Sequence, residues 1–319
     1  MFAARTCRSR PTAFGLLAGV VVDQLFGDPR RGHPVAIFGT AAGRLEQAMW
    51  RDGRAAGAIH TATLVTAAGA LGVVVGRTRA TALLLATGVA TWAVLGGRSL
   101  VAEADAIEAH LRRDDLPAAR RQLTHLVGRR TEDLDEREIA RATVESVAEN
   151  TSDAVVAPLF WGALAGLPGL LGYRAINTLD AMVGHHNARY ENFGWAAARL
   201  DDLANYAPAR LTAVLTAAVA PLAGGSGRRA LALARRDGRK HPSPNSGLAE
   251  AAFAGALGVR LGGRNDYGSR VEQRPALGAE HAPPARDDIA RAASLSRAVT
   301  IVAGVLCASV AGALRRGRR

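Results

Sequence analysis

Lysine is almost absent from this chain: among 319 residues there is one, Lys240. A P-loop needs Gly-Lys-Ser/Thr, and Lys240 lies between Arg239 and His241, so any nucleotide is held by other means. A Schiff-base mechanism has only this side chain to use. Cysteine is scarce too. Cys7 and Cys307 are far apart, and Cys307 sits in an apolar run, which implies neither a disulfide framework nor a thiolate metal site. Aromatic residues are 5% of the chain. The net charge of +12 invites a nucleic-acid partner, but no aromatic platform or recognition motif is interleaved with the arginines. There is no HExxH and no strand-anchored GxGxxG, and no internal repeat or low-complexity linker is visible.

What is abundant is apolar sequence in blocks. Hydrophobic residues make up 49%, gathered in segments of about 12–26, 55–76, 80–97, 154–173, 203–223 and 298–314. Blocks of this length predict a membrane protein. The expected fold is all-α: one polytopic helical bundle over 1–319, with broken or re-entrant segments and polar loops that form the site. Arginines cluster at the ends of the apolar blocks (Arg5, Arg8, Arg10; Arg77, Arg79; Arg315, Arg316, Arg318, Arg319), as positive charge does in inner-membrane proteins. Asp23 breaks the first block directly after the apolar stretch 14–22, which reads as retained rather than cleaved. Segments 55–76 and 80–97 read as a helical hairpin, with His60 a packed or interfacial residue rather than a ligand. Segment 154–173 contains Pro158 and Pro168-Gly169, so it is either a span or a broken helix lining a pocket. Six full crossings cannot place the Arg-rich tail and the central polar loops all in the cytoplasm, so at least one block is expected not to cross. Residues 103–130 read as a solvated helical region with Leu111, Leu116, Leu123 and Leu126 as its apolar contacts and a second short helix starting at Pro117.

Polar residues crowd the edges of these blocks. In 23–39, Asp23, Asp28 and His33 are set among prolines and glycines, which suits either turn chemistry or a functional loop. Asp133 and Glu136 have the spacing of a capping box. In the helix that follows, Ile139, Ala140, Thr143, Val144 and Val147 share one face, with Glu138, Arg141, Glu145 and Glu149 opposite. Arg141 and Glu145 then form an i,i+4 pair, as on an ordinary solvated face. Glu149, Asn150 and Asp153, however, stand at the mouth of an apolar run, where lone carboxylates are costly. The densest group is Arg174, Asn177, Asp180, His185, His186, Asn187, Arg189, Tyr190, Asn192, Arg199, Asp201, Asp202 and Asn205. Asp201, Asp202 and Asn205 fall within one turn. They are hard oxygen ligands suited to Mg2+, or else acids stabilised at a helix N-terminus. Ser243, Asn245 and Ser246 in HPSPNSG bind a ligand or cap the next helix.

Five blocks carry a resemblance. They are DxxxGDPxxxHPV (23–35), ESVAENTSDAVVAPLFW (145–161), YRAINTLDAMVG (173–184), NARYENFGWAAARLDDLANYAPARLTA (187–213), and HPSPNSG with EAAFAGALGVRLGG (241–263). In this order, over nearly the whole chain, they resemble the CobD/CbiB family of adenosylcobinamide-phosphate synthases in cobalamin biosynthesis. The chain departs from that pattern at His185-His186 and at Leu248-Ala249, where a Trp-Pro pair is expected. The resemblance implies a multi-pass enzyme of the bacterial inner membrane, with its site facing the cytoplasm. It implies ATP- and Mg2+-driven joining of (R)-1-amino-2-propanol or its O-phosphate to adenosylcobyric acid, and contacts with other corrinoid-pathway membrane enzymes. For that chemistry Glu145, Glu149, Asp153, Asp201 and Asp202 form the expected metal-binding pool, with Glu145 and Glu149 also catalytic. Arg174, Arg189 and Arg199 are expected on phosphates, and Asp28 or His33 as the base. Asn150, Asn177, Asp180, Asn192, Asn205, Ser243 and Asn245 are expected on substrate. Two other readings stay open. The NxxD at 177–180 and DDxxN at 201–205 also suit a Mg2+-dependent prenyl- or phospho-transferase. Intramembrane acids also suit a transporter, which would carry inverted repeats.

Overall fold

The computed structural model describes residues 9–29, 32–185, 187–268 and 271–314. Arg5, Arg8, Cys7, His186 and the arginines after 314 lie outside them. The chain is an all-α membrane protein with almost no sheet. Four helical stretches are long and apolar enough to cross a membrane: Arg54–Val75, Ala80–Arg112, Trp195–Ala223 and Arg286–Ala313, the second interrupted at Leu95 and Gly96. The described residues pack as two compact units.

The first unit draws on Met1–Gly96, Ala157–Asn205 and Ala303–Arg319. Its helices are α1 (Ser9–Phe26), α2 (Pro34–Met49), α3 (Arg54–Val75), α4 (Ala80–Val94), α8 (Ala157–Ala165), α9 (Leu167–Val183) and the start of α10 (Trp195–Val219). The expected hairpin of α3 and α4 takes a different form, because each packs chiefly on another helix, α4 on α1 and α3 on α9. Small residues explain the choice. A Cβ on Gly15 or Gly19 of α1 would lie 2.6 or 2.3 Å from the Cβ of Thr87 or Thr91 on α4. On α3, a Cβ at Gly72 would lie 2.6 Å from the Pro168 backbone. Such close approach of backbones is the small-xxx-small mode of membrane helix pairing. His60 is fully buried, with Nε2 3.1 Å from the Ala42 carbonyl and its ring 5.3 Å from that of Phe193.

Segment 154–173 does not form one helix. A π-helical turn (Ser152–Val156) leads into α8, Gly166 turns the chain at φ +71°, and Pro168 opens α9. Gly166 carries a backbone conformation that L side chains rarely adopt, and Pro is at home in a first helical turn.

The second unit draws on Gly97–Val156 and Tyr206–Val302. It contains α5 (Gly97–Arg112), α6 (Leu116–Leu123), α7 (Glu136–Thr151), the rest of α10, α11 (Gly227–Asp237), α12 (Ser246–Leu257) and most of α13 (Arg286–Ala313). Pro117 does open α6, with Asp115 accepting the Ala118 N–H as its cap. The capping box of α7 is Asp135 with Glu138, not Asp133 with Glu136. Two overlapping Asp-x-x-Glu frames occur there, and the helix starts in the second. α12 is buried from Ala249 to Leu257, because its alanines and glycines let α11 approach. A Cβ on Gly255 would meet the Arg229 carbonyl at 2.5 Å. The glycine-rich stretch after α12 forms an antiparallel hairpin, β1 (Leu261–Asp266) with β2 (Val271–Leu277), an addition to the expected all-helical fold. Its register is irregular between Leu261 and Gly263, where Gly262 and Gly263 have φ +86° and +113°.

Candidate functional site

Most of the polar residues singled out in the sequence gather in a cluster within each unit. In the second unit it is built on α7, whose residues 139–148 are all buried, on both faces. Glu145 is 5% exposed and accepts three donors: Arg129 Nη2 at 2.9 Å, Arg141 Nη1 at 3.1 Å and the Gly262 N–H at 2.8 Å. The Arg141–Glu145 pair is therefore present but dry, with the β-hairpin docked over it. Burial opposes ionisation of Glu145. The two guanidinium groups and the Gly262 N–H outweigh it and hold the carboxyl below the usual range. Asn265 of β1 accepts from Arg141 Nη1 at 3.1 Å and from Arg129 Nη1, and Arg141 Nη2 reaches the Arg264 carbonyl at 2.9 Å.

One turn along α7, Glu149 is half-buried and accepts the Ser246 hydroxyl at 2.9 Å. Asn150 donates to the Ser146 carbonyl, and Asp153 lies in the π-helical turn. On α12, Glu250 is 1% exposed and neither of its oxygens has a hydrogen-bond partner. His241 Nε2 stands 3.6 Å and Arg274 Nη1 3.9 Å from Oε1. Burial, then the charges of Glu145 and Glu149, push the Glu250 carboxyl well above its usual range. Burial, then Arg274, push His241 down, so both groups favour their neutral forms. A cavity of about 130 Å3 opens among Arg129, Glu145, Glu149, Asn265, Tyr267 and Arg274.

The cluster of the first unit joins α9 to α10. Asp201 accepts from Asn177 Nδ2 at 3.5 Å and from Asn205 Nδ2 at 2.9 Å. The buried Tyr173 hydroxyl donates to Asn205 Oδ1 at 2.8 Å, and Arg174 Nη1 reaches Asn177 Oδ1 at 3.4 Å. Asp180 lies on α9 one turn beyond Asn177, Asp202 is half-buried on α10, and Arg199 is exposed on α10. Arg189 and Asn192 are occupied elsewhere. Arg189 donates to Glu46 at 2.9 Å and lies 4.9 Å from the centre of the Trp50 ring, while Asn192 donates to Asp52 at 2.9 Å. These contacts tie the segment before α10 to the end of α2.

Of the remaining expected residues, His33 caps α2. Its Nδ1 accepts the Val35 N–H at 3.2 Å, and Nε2 lies 3.6 Å from Asp28. This is the geometry of turn chemistry. Ser243 accepts the Asn245 and Ser246 N–H groups at the entrance to α12, and Asn245 accepts from Arg210. Glu145, Glu149 and Asp153 thus belong to the second unit, Asp201 and Asp202 to the first. Among the described residues no three His, Cys, Asp or Glu side chains converge to hold a metal.

The family model for the CobD/Cbib protein matches residues 16–296. The chain belongs to the CobD/CbiB family of cobalamin-biosynthesis proteins. It is 54% identical over 295 residues to the cobalamin biosynthesis protein CobD of Mycobacterium tuberculosis, covering 92% of this chain and 94% of that one. The protein of that name from Geobacter metallireducens is 48% identical over 271 residues, covering 82% and 85%. The one from Rhodobacter capsulatus is 41% identical over 316 residues, covering 91% and 96%. No solved structure matches.

The family-like blocks of this CobD/CbiB chain sort between the two clusters. Glu145 and Glu149 from the block at 145–161 and Ser246, Glu250 and Gly262 from the block at 241–263 meet in the second unit. The blocks at 173–184 and 187–213 supply the Asp201 cluster. Sequence reasoning missed Arg129, His241, Glu250, Asn265 and Arg274. Glu250 had a signal, a lone acid in the apolar small-residue run 247–257. Arg129 had none, since it ends a region dense in exposed charge.

Proposed function

We propose that this cobalamin-biosynthesis protein forms an amide bond, joining (R)-1-amino-2-propanol or its O-phosphate to the propionate carboxylate of adenosylcobyric acid at the expense of ATP. A carboxylate does not accept an amine at neutral pH. Transfer of the γ-phosphoryl group to the carboxylate oxygen gives an acyl phosphate and ADP. Attack by the amine lone pair then forms the C–N bond, phosphate leaves with the C–O electrons, and the ammonium proton passes to a base. Such a site must exclude water and balance concentrated negative charge.

The observation that carries this reading is the largely buried chamber around Glu145, where the guanidinium groups of Arg129 and Arg141 and the Gly262 N–H of the β-hairpin converge on one carboxylate. A Mg2+ ion, when bound, would neutralise phosphate charge. It is commonly held by one or two carboxylates plus substrate phosphates, a requirement that Glu149 and Asp153 fit. Glu145 does not fit it, because its oxygens already accept three donors. The protein lies in the bacterial inner membrane with the chamber open to the cytoplasm, where ATP is.

The test is reconstitution of the purified protein in nanodiscs with adenosylcobyric acid, amine, ATP and Mg2+. ADP release that depends on both other substrates, with the amide identified by mass and lost in Glu149→Gln, is the expected result. Amide formation without nucleotide, or no amide at all, overturns the reading. A membrane prenyl- or phospho-transferase is favoured by one observation, the approach of Asn177 to Asp201 across α9 and α10. Turnover that requires a lipid diphosphate instead of ATP would decide for it.

A further inference from the structure

We propose that the donors of Arg129, Arg274 and Asn265 form an oxyanion pocket that takes a phosphoryl group. Arg129 Nε, Arg274 Nε and Asn265 Nδ2 are buried and have no hydrogen-bond partner. Arg129 is 8% exposed and Asn265 1%. Buried N–H groups are nearly always satisfied, so three orphaned donors lining one cavity call for an acceptor. The cavity measures about 130 Å3. That is room for a tetrahedral oxyanion.

The charges point the same way. Arg129 and Arg141 are hydrogen-bonded to Glu145, but Arg274 makes no hydrogen bond to a carboxylate. Its Nη2 donates to the Tyr267 hydroxyl at 3.2 Å, which fixes the guanidinium plane. A planar cation held at a small cavity is what phosphate recognition uses. Glu145 and Glu149 line the same cavity and would repel a bare anion. Glu145 is neutralised by its two arginines, and Glu149 is on the side assigned to Mg2+. The phosphoryl group has two possible sources, the γ-phosphate of ATP and the O-phosphate of the amino alcohol. Naming these sources rests on the proposed function, but the pocket itself does not.

The experiment uses the full chain in nanodiscs without corrinoid. Calorimetry reads binding of inorganic phosphate, an imido-bridged ATP analogue and ethanolamine phosphate to the wild type, Arg274→Gln and Arg264→Gln. The exposed Arg264 is the control. Arg129→Gln is avoided because it strips a donor from Glu145. At least one probe should bind the wild type and Arg264→Gln alike, and bind Arg274→Gln about tenfold or more weaker, as loss of a charged hydrogen bond predicts. A loss confined to the ATP analogue names the nucleotide as the source, and a loss confined to ethanolamine phosphate names the amino alcohol. Equal binding to folded wild type and Arg274→Gln, or no binding of any probe, overturns the pocket. If amide synthesis fails while Arg274-dependent binding persists, the proposed function falls and the pocket stands. If synthesis proceeds and Arg274→Gln binds every probe as wild type does, the reverse holds.

Discussion

The α1–α4 pair and the Glu145 chamber are held together by opposite means. In the first, Gly15 and Gly19 bring one backbone against Thr87 and Thr91 of the other. Lipid offers no hydrophobic drive between helices, so close packing has to do the work. In the second, the buried Glu145 carboxylate is held by the three donors paired to it. The helix pair should therefore be sensitive to added volume, and the chamber to a missing partner.

The largest effect is expected from removing a partner. Arg129→Ala leaves Glu145 and Asn265 short of a donor in a dry site and should cost about 3–5 kcal/mol, read by thermal unfolding in detergent. Adding Glu145→Gln should cost less than the sum of the two single changes, because they share one network. Added volume comes next. Gly19→Val places a Cβ 2.3 Å from that of Thr91 and should cost about 1–3 kcal/mol. Gly69→Ala, with nothing within 4 Å, should instead gain about 0.5–1 kcal/mol from helix propensity. Equal effects at the two glycines would break the comparison.

A third prediction concerns pH. Burial, reinforced by Glu145 and Glu149, raises the Glu250 carboxyl in the folded state. The folded chain then holds a proton that the unfolded chain releases. That contribution to stability is complete below the ordinary glutamate range and is lost as pH rises towards the folded value. Glu250→Gln should match the wild type at pH 4 and be more stable at pH 8, by about 1.4 kcal/mol for each pH unit that separates the folded from the ordinary glutamate value. Unfolding measured at the two pH values checks it. The smallest effect is expected outside the chamber, where Asp135→Ala removes the cap of α7 at a cost of about 1 kcal/mol.

Much of the helical frame is legible in the sequence. Length and hydropathy mark α3, α4 and α13. Pro158 and Pro168 mark the break in 154–173, and Pro117 marks the start of α6. The hairpin at 261–277 is not legible, because its strands are short, glycine-rich and charged, and lack the β-branched alternation of half-buried strands. The acids of the chamber stand out, but their environment does not. Arg141 and Glu145 at i,i+4 read the same whether solvent or a β-hairpin covers them. Their other partners lie 16 and 117 residues away in sequence. Pairings of that range are set by tertiary packing, which periodicity along one helix does not report.

The solitary lysine has a practical consequence. Lys240 is half-exposed, tethered to Asp237 by a 2.7 Å contact, and followed directly by His241. Apart from the α-amine, an amine-reactive fluorophore finds a single address on this chain, one residue from His241. A chain that dispenses with lysine nearly everywhere thus accepts one environment-sensitive dye without any engineered cysteine, and occupancy of the neighbouring chamber can be followed by its colour.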